Sequence, residues 1–161
     1  MEQFQIRKIE KADDSAIAAV IRSVLIEHNV PKVGTAFADP QLDFMSNAYN
    51  QPRAAYFLAV SNQKIVGGAG IAPLEGEAEE LCELQKMYFL PEARGRGLGS
   101  AMMRTCLEFA KSAGFRKCYL ETMPYMTAAQ ALYKKSGFHY LEKPMGNTGH
   151  SACPVWMLCE L

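Results

Sequence analysis

The chain has 161 residues, 49% of them hydrophobic and 21% charged, the profile of an ordinary soluble globule long enough to bury a core as one domain spanning residues 1–161. Seventeen Lys and Arg balance seventeen Asp and Glu, and a formal charge of zero removes the electrostatic reason to expect nucleic acid or an anionic membrane as the main partner. No apolar run approaches ~18 residues and the opening MEQFQIRKIEKADD is too polar for a signal peptide, so no membrane span and a cytoplasmic location are expected.

Phe4–Ile9 alternates as a strand with one wet face. Asp13 and Asp14 can cap a helix whose positions Ile17, Val20, Ile21, Val24, Leu25 and His28 share one side. NVPKVGTAFADP breaks the pattern, and Asp39-Pro40 starts a second short helix to about Tyr49. Ala55–Ser61 and Ile65–Ala72 read as a hairpin turned by NQK. The glycines of VGGAG weaken its second strand and signal a bend or a close neighbour. PLEGEAEE is a loop, and Leu81–Leu90 a longer strand.

A helix follows with Leu98, Met102, Cys106, Leu107, Ala110 and Ala113 on its apolar face, closed by Gly114. Cys118–Thr122 is a strand, Thr127–Ser136 a helix ending at Gly137, and Phe138–Leu141 a strand. KPMGNTGHSA loops out before a last strand, Pro154–Leu161, whose exposed sheet end is a candidate surface for a homodimer. The order is mixed α/β, with hairpins toward each end and one central strand–helix–strand crossover. That crossover is expected to be right-handed and to join parallel strands.

Arg94-Gly95-Arg96-Gly97-Leu98-Gly99 opens the central helix. A mid-helix glycine costs ~1 kcal/mol relative to alanine, but here the glycines cluster where the first backbone N–H groups have no partner inside the helix. Without β-carbons a large anion can approach those groups, the helix dipole adds roughly 0.3–1 kcal/mol, and Arg94 and Arg96 add charge. The segment suits a phosphate or pyrophosphate. It is neither GxGxxG nor followed by GK[ST], so neither a dinucleotide fingerprint nor a Walker loop fits. A plain tight turn with solvated arginines is the bland alternative.

Arg94, Gly97 and Gly99 also fit the pattern [Q/R]-x-x-G-x-[G/A], after a strand and at a helix start. Ala128–Phe138 (AAQALYKKSGF) fits A-x-x-L-Y-x-x-x-G-F. In order and spacing the chain resembles the GNAT (GCN5-related N-acetyltransferase) family over nearly its whole length. That resemblance implies a mixed sheet of about seven strands with a splayed parallel central pair, flanked by about four helices. It implies acetyl-CoA as co-substrate and no metal. Backbone groups of Met87, Tyr88 and Phe89 would pair with the pantetheine arm, an N–H near Met87 would polarise the thioester carbonyl, and the amides of Gly95, Arg96, Gly97, Leu98, Gly99 and Ser100 would hold the pyrophosphate.

Tyr133 aligns with the family's tyrosine near the sulfur. At ordinary pKa values of ~10 and ~8.5, donating its proton to a thiolate is uphill by about 2 kcal/mol, and a hydrogen bond alone would also help. Its bland reading is a core tyrosine. Met126 stands where many members carry a cofactor-contacting asparagine, and a methionine has no amide to offer.

The resemblance implies an amine acceptor, of a small molecule or a peptide, attacking directly in a ternary complex. A lysine-like amine is handicapped at pH 7 by about 4.6 kcal/mol and an α-amine by about 1 kcal/mol, so a proton-accepting carboxylate is useful. Glu83 matches the base of the histone-acetylating branch and Glu121, in YLET, that of the branch acetylating protein N-termini. A water chain or His150 remains a third route, and an exposed carboxylate is the bland reading of Glu83. The acceptor pocket is expected from roughly residues 28–49 and 143–152, where Phe37, Phe44 and Tyr49 could line it or be core.

The five cysteines show no CxxC pair and the three histidines are scattered, so neither a disulfide framework nor a zinc site is indicated. No His and acidic orienter accompany Cys106 or Cys118 as a nucleophile. Met126 motivates the alternative of a non-catalytic acyl-CoA-binding or sensing module, and an adaptor using the fold only as a partner surface is a further rival.

Overall fold

A computed structural model describes residues 4–161. Seven strands form one mixed sheet: β1 (Phe4–Lys8), β2 (Ala55–Ser61), β3 (Lys64–Pro73), β4 (Leu81–Phe89), β5 (Lys117–Thr122), β6 (His139–Tyr140) and β7 (Val155–Glu160). Their spatial order is β1-β2-β3-β4-β5-β7-β6. Four helices accompany them: α1 (Asp14–Glu27), α2 (Met45–Ala48), α3 (Leu98–Ser112) and α4 (Thr127–Lys135). β1 to β4 pair antiparallel in chain order, and the crossover through α3 sets β5 parallel to β4. The expected architecture, the GNAT fold with its parallel central pair, is therefore present.

Alternation along the strands divides the core between the two faces of the sheet. Phe57, Ile71 and Leu84 join α3 and α4 residues such as Met102, Cys106 and Tyr133. Tyr56, Leu58 and Ala72 join Ile17, Ile21, Leu25 and Met45 on the other side. Asn62 and Gln63 take the left-handed conformation that a two-residue hairpin turn requires.

Some expectations shift locally. Asp13 accepts from the Arg7 guanidinium at 2.8 and 3.0 Å and from the Glu10 N–H at 2.8 Å, rather than from the turn of α1. Asp14 instead accepts from the Ser46 N–H and hydroxyl, both at 2.8 Å, tying α1 to α2. The expected helix from Asp39 to Tyr49 is broken into a 3-10 turn at Leu42–Phe44 and the single α-turn of α2. The last strand is not a sheet end: β7 pairs with β5 along its length and with β6 at Met157 and Leu158. The candidate dimer surface at Pro154–Leu161 is therefore covered at its centre. Among the described residues no helix is long and apolar enough to cross a membrane.

Candidate active site

The parallel ladder between β4 and β5 is short: Leu81 faces Lys117, Cys82 faces Cys118 and Glu83 faces Tyr119. Beyond Glu83 the two strands continue without pairing, each held by its other neighbour. β4 diverges at a bulge. Gln85 pairs with Gly70 and Tyr88 with Gly68, so Lys86 and Met87 share one partner position, and Lys86 adopts φ 49°. The buried Tyr56 hydroxyl donates to the Lys86 carbonyl at 2.7 Å. Gly68 and Gly70 make this possible, since a β-carbon at either would stand 2.5 or 2.6 Å from the Tyr56 ring. The close neighbour announced by VGGAG is thus a set of aromatic side chains.

A cavity of about 390 Å³ occupies the opening. Met87, Tyr88 and Phe89 line one wall; Leu120, Glu121 and Thr122 line the other; Arg94, Gly95, Gly99 and Tyr133 stand along it. At the glycine turn, Gly95 and Gly97 have φ of 77° and 75°, and a β-carbon on either would meet nothing within 4 Å. Their open sides are clear of other protein atoms. The first intrahelical bond of α3 runs from the Ala101 N–H to the Gly97 carbonyl at 3.1 Å. The N–H groups of Leu98, Gly99 and Ser100 lie ahead of it, at the positive end of the helix dipole. The Leu98 side chain is buried, so only its N–H could serve a ligand. Gly99 has a packing role instead: its β-carbon would sit 3.0 Å from Leu132 on α4.

The Arg94 guanidinium donates to both Glu27 carboxylate oxygens at 2.8 Å and to the Phe89 carbonyl at 3.1 and 2.8 Å. Its charge is therefore shared with the end of α1. Met126 is the N-cap of α4, and its sulfur accepts from the Thr122 hydroxyl at 3.7 Å. It packs on the α1 side of the core, so this position is held by apolar contact where an amide is usual.

At the other end of the cavity, Glu83, Glu121 and His150 bring a carboxylate oxygen each and a ring nitrogen within 4.8 Å of one another. The two candidate bases and the third route thus share one place, which suits a small cation such as an ammonium. Glu83 is buried; burial, aided by the Glu121 and Asp39 charges, lifts its pKa to about 7 against the hydrogen bond from Gln85 and the Lys86 charge. Burial also raises Glu121, opposed by hydrogen bonds from Thr148 and Tyr119. His150 is lowered by burial and by Lys86.

The bulge residue Lys86 pairs with Asp39 at 2.7 Å, both largely withdrawn from water. Burial works to raise Asp39, but the Lys86 ammonium holds it below its ordinary value. Tyr133 is buried and its phenol is pushed up to about 12 by that burial. Cys153 also lines the cavity, and burial raises its thiol to about 11.

The wall expected from residues 28–49 differs in part from expectation. Val30, Thr35 and Ala36 line it with Val24 and His28. Phe44 is exposed at 63%, and Tyr49 is buried against Tyr56 with ring centroids 5.1 Å apart. Sequence reasoning missed Gln85 and Lys86. Gln85 was reachable, because it stands two residues from Glu83 on a strand and so shares its face. The Lys86–Asp39 pair crosses between distant segments and left no local signal.

The Acetyltransferase (GNAT) family model matches residues 21–138, and the chain belongs to this family. It is 44% identical to the uncharacterized N-acetyltransferase YjgM of Escherichia coli K12, covering 97% of this chain and 94% of that one. A GNAT-family acetyltransferase from Staphylococcus aureus Mu50 superposes with a TM-score of 0.87 over 99% of both chains at 19% identity. The PaiA N-acetyltransferase of Thermoplasma acidophilum, solved in complex with coenzyme A, superposes with a TM-score of 0.75 over 99% of both chains at 14% identity.

Proposed function

We propose that residues 1–161 work as one domain that moves an acetyl group from acetyl-CoA to a primary amine of a small molecule or peptide, by direct attack in a ternary complex. The observation that carries this reading is the parting of β4 and β5 just beyond Glu83, with main chain left unpaired toward β5 at one end of the cavity and the buried Glu83 beside the half-buried Glu121 at the other. The residues present fit coenzyme A. Left-handed glycines open the turn for a diphosphate, and the edge of Met87 to Phe89, unpaired with β5 although the Phe89 carbonyl accepts from Arg94, can receive an extended amide-bearing arm.

Glu83 takes one proton from the acceptor ammonium, freeing the neutral amine to attack the thioester carbon; the carbon–sulfur bond breaks as the amide forms, and the second nitrogen proton leaves to the departing thiolate, giving the free CoA thiol. With its pKa at about 7, relief of an α-ammonium near 7.8 is uphill by only about 1 kcal/mol, and of a lysine-like ammonium near 10.4 by about 4.6 kcal/mol. Amines of lowered basicity are therefore the better acceptors. Glu121 lies beside Glu83 and draws the cation in. The Met87 N–H is assigned to the thioester oxygen.

Tyr133 serves as a hydrogen-bond donor to the leaving sulfur. With its phenol at about 12, full proton transfer to a thiolate of ~8.5 would be uphill by about 5 kcal/mol, against the 2 kcal/mol expected for an unburied tyrosine. The binding-module alternative finds less support: the carboxylates poised around the cavity serve proton removal, which retention of acyl-CoA does not require. A screen of thiol release from acetyl-CoA against amino acids, polyamines, aminoglycosides and N-terminal peptides tests the reading. Release with at least one amine is expected; binding of acetyl-CoA without release across the panel would contradict it.

A further inference from the structure

Resting on that reading, we propose that Gln85 and Tyr49 are positioning residues, a two-link hydrogen-bonded chain that holds the Glu83 carboxylate ready to accept a proton. Glu83 and Gln85 share a face of β4, and the Gln85 side-chain amide donates to a Glu83 carboxylate oxygen at 2.6 Å. The Tyr49 hydroxyl donates to the Gln85 side-chain carbonyl at 2.5 Å. With its oxygen so engaged, Gln85 keeps its NH2 end toward Glu83; rotating the amide would set oxygen against oxygen.

Tyr49 is itself fixed. Its ring leans on Tyr56, and Gly70 leaves room that a β-carbon would close, 2.8 Å from the Tyr49 ring. The same glycine-rich strand that admits Tyr56 to the bulge therefore admits the far end of the chain. A buried carboxylate without a donor takes up a proton rather than remain charged, and a proton-bearing Glu83 cannot act as base.

The other groups facing Glu83 do not replace Gln85. Glu121 on β5 and Asp39 oppose its charge, and Lys86, the cation in range, is committed to Asp39. The charge of Glu83 is also felt by Tyr119 on β5, by Tyr49 and by Cys153, and His150 stands within reach. Gln85 is the neutral donor that supports the charged form without adding a charge of its own.

The test uses Gln85→Met, which keeps length and loses the donor, and Tyr49→Phe, which keeps the ring. Two readouts are taken: the pH profile of kcat/KM, and the Glu83 carboxyl titration by 13C NMR in the free protein, its signal assigned with Glu83→Gln. Gln85→Met should move both the acid limb and the NMR titration up by about one pH unit, with activity down about 5–10-fold at pH 6.5 and within about 3-fold of wild type at pH 9. Tyr49→Phe should move both the same way by less, and the KM for acetyl-CoA should stay unchanged in each. Loss by an equal factor at every pH, or an NMR titration that does not move, would overturn the assignment. If the wild-type protein acetylates no amine but the NMR titration still shifts in Gln85→Met, the chain stands and the acetyl-transfer reading falls.

Discussion

The two ends of the cavity are built from different materials. The end proposed for the coenzyme is main chain: left-handed glycines, the first N–H groups of α3, and a strand edge left bare where β4 leaves β5. The end proposed for the acceptor is side chain, with Glu83, Glu121, Lys86, Asp39, Gln85, Tyr49 and His150 drawn from β4, β5 and three separate loop or helical segments. Substitution should therefore fail differently at the two ends: through backbone shape and bulk at one, through charge and proton position at the other.

The largest effect is expected at Glu83. Glu83→Gln should lower kcat/KM at pH 8 by about 10²–10³-fold and erase the limb near pH 7, with acetyl-CoA affinity unchanged. The same variant should be more stable than wild type at pH 8. Glu83 has a folded pKa raised to about 7 above an unfolded value near 4.3, so the stability it allows is complete below ~4.3 and is lost as pH rises through 7. Glutamine does not titrate, and the gain should reach at most about 4 kcal/mol at pH 8 and vanish below pH 4 in thermal melts. A variant inactive and less stable at pH 8 would break the side-chain half of the comparison.

Next comes the glycine turn. Gly97→Val should weaken coenzyme A binding about 10–100-fold by calorimetry, through bulk and through a β-branched residue at φ 75°. Gly97→Asn separates the two causes, since asparagine tolerates that φ; it should still lose affinity while melting at the wild-type temperature. Normal affinity in both would contradict the proposed seat.

A smaller effect is expected for Tyr133→Phe, which should lower kcat about 10-fold with the acetyl-CoA Kd within 2-fold. Its phenol at about 12 also means that wild-type kcat should show no basic limb from this group below pH 10. Least of all should come from Glu27→Gln. It removes the ionic partner of the partly exposed Arg94 guanidinium, which keeps its bonds to the Phe89 carbonyl, and it costs under ~1 kcal/mol of stability and should leave the Kd for coenzyme A within about 3-fold.

The same division explains what could be read from the chain. Gly95, Gly97 and the apolar face of α3 are consecutive residues, so the turn, the helix and the crossover were all legible locally. VGGAG signalled a close neighbour but could not say that the neighbours were Tyr49 and Tyr56, because those contacts span the sheet. Glu83 and Glu121 were legible as rival bases, while their meeting with His150 at one place was not. Tyr49 read as pocket or core, and is a core residue that touches the site through Gln85. Arg94 read as charge for the anion, since nothing local revealed Glu27. The C-terminal hairpin of β6 and β7 was legible, but the last strand read as a sheet end because its place between β5 and β6 depends on the long-range pairing with β5.

The central claim is that the bare main chain between β4 and the start of α3 seats acetyl-CoA. Amide 1H–15N shifts followed through a coenzyme A titration test it directly. The account predicts saturable perturbations largest at Gly95–Ser100 and at Met87–Phe89; perturbations centred elsewhere, or none at millimolar coenzyme A, would contradict it.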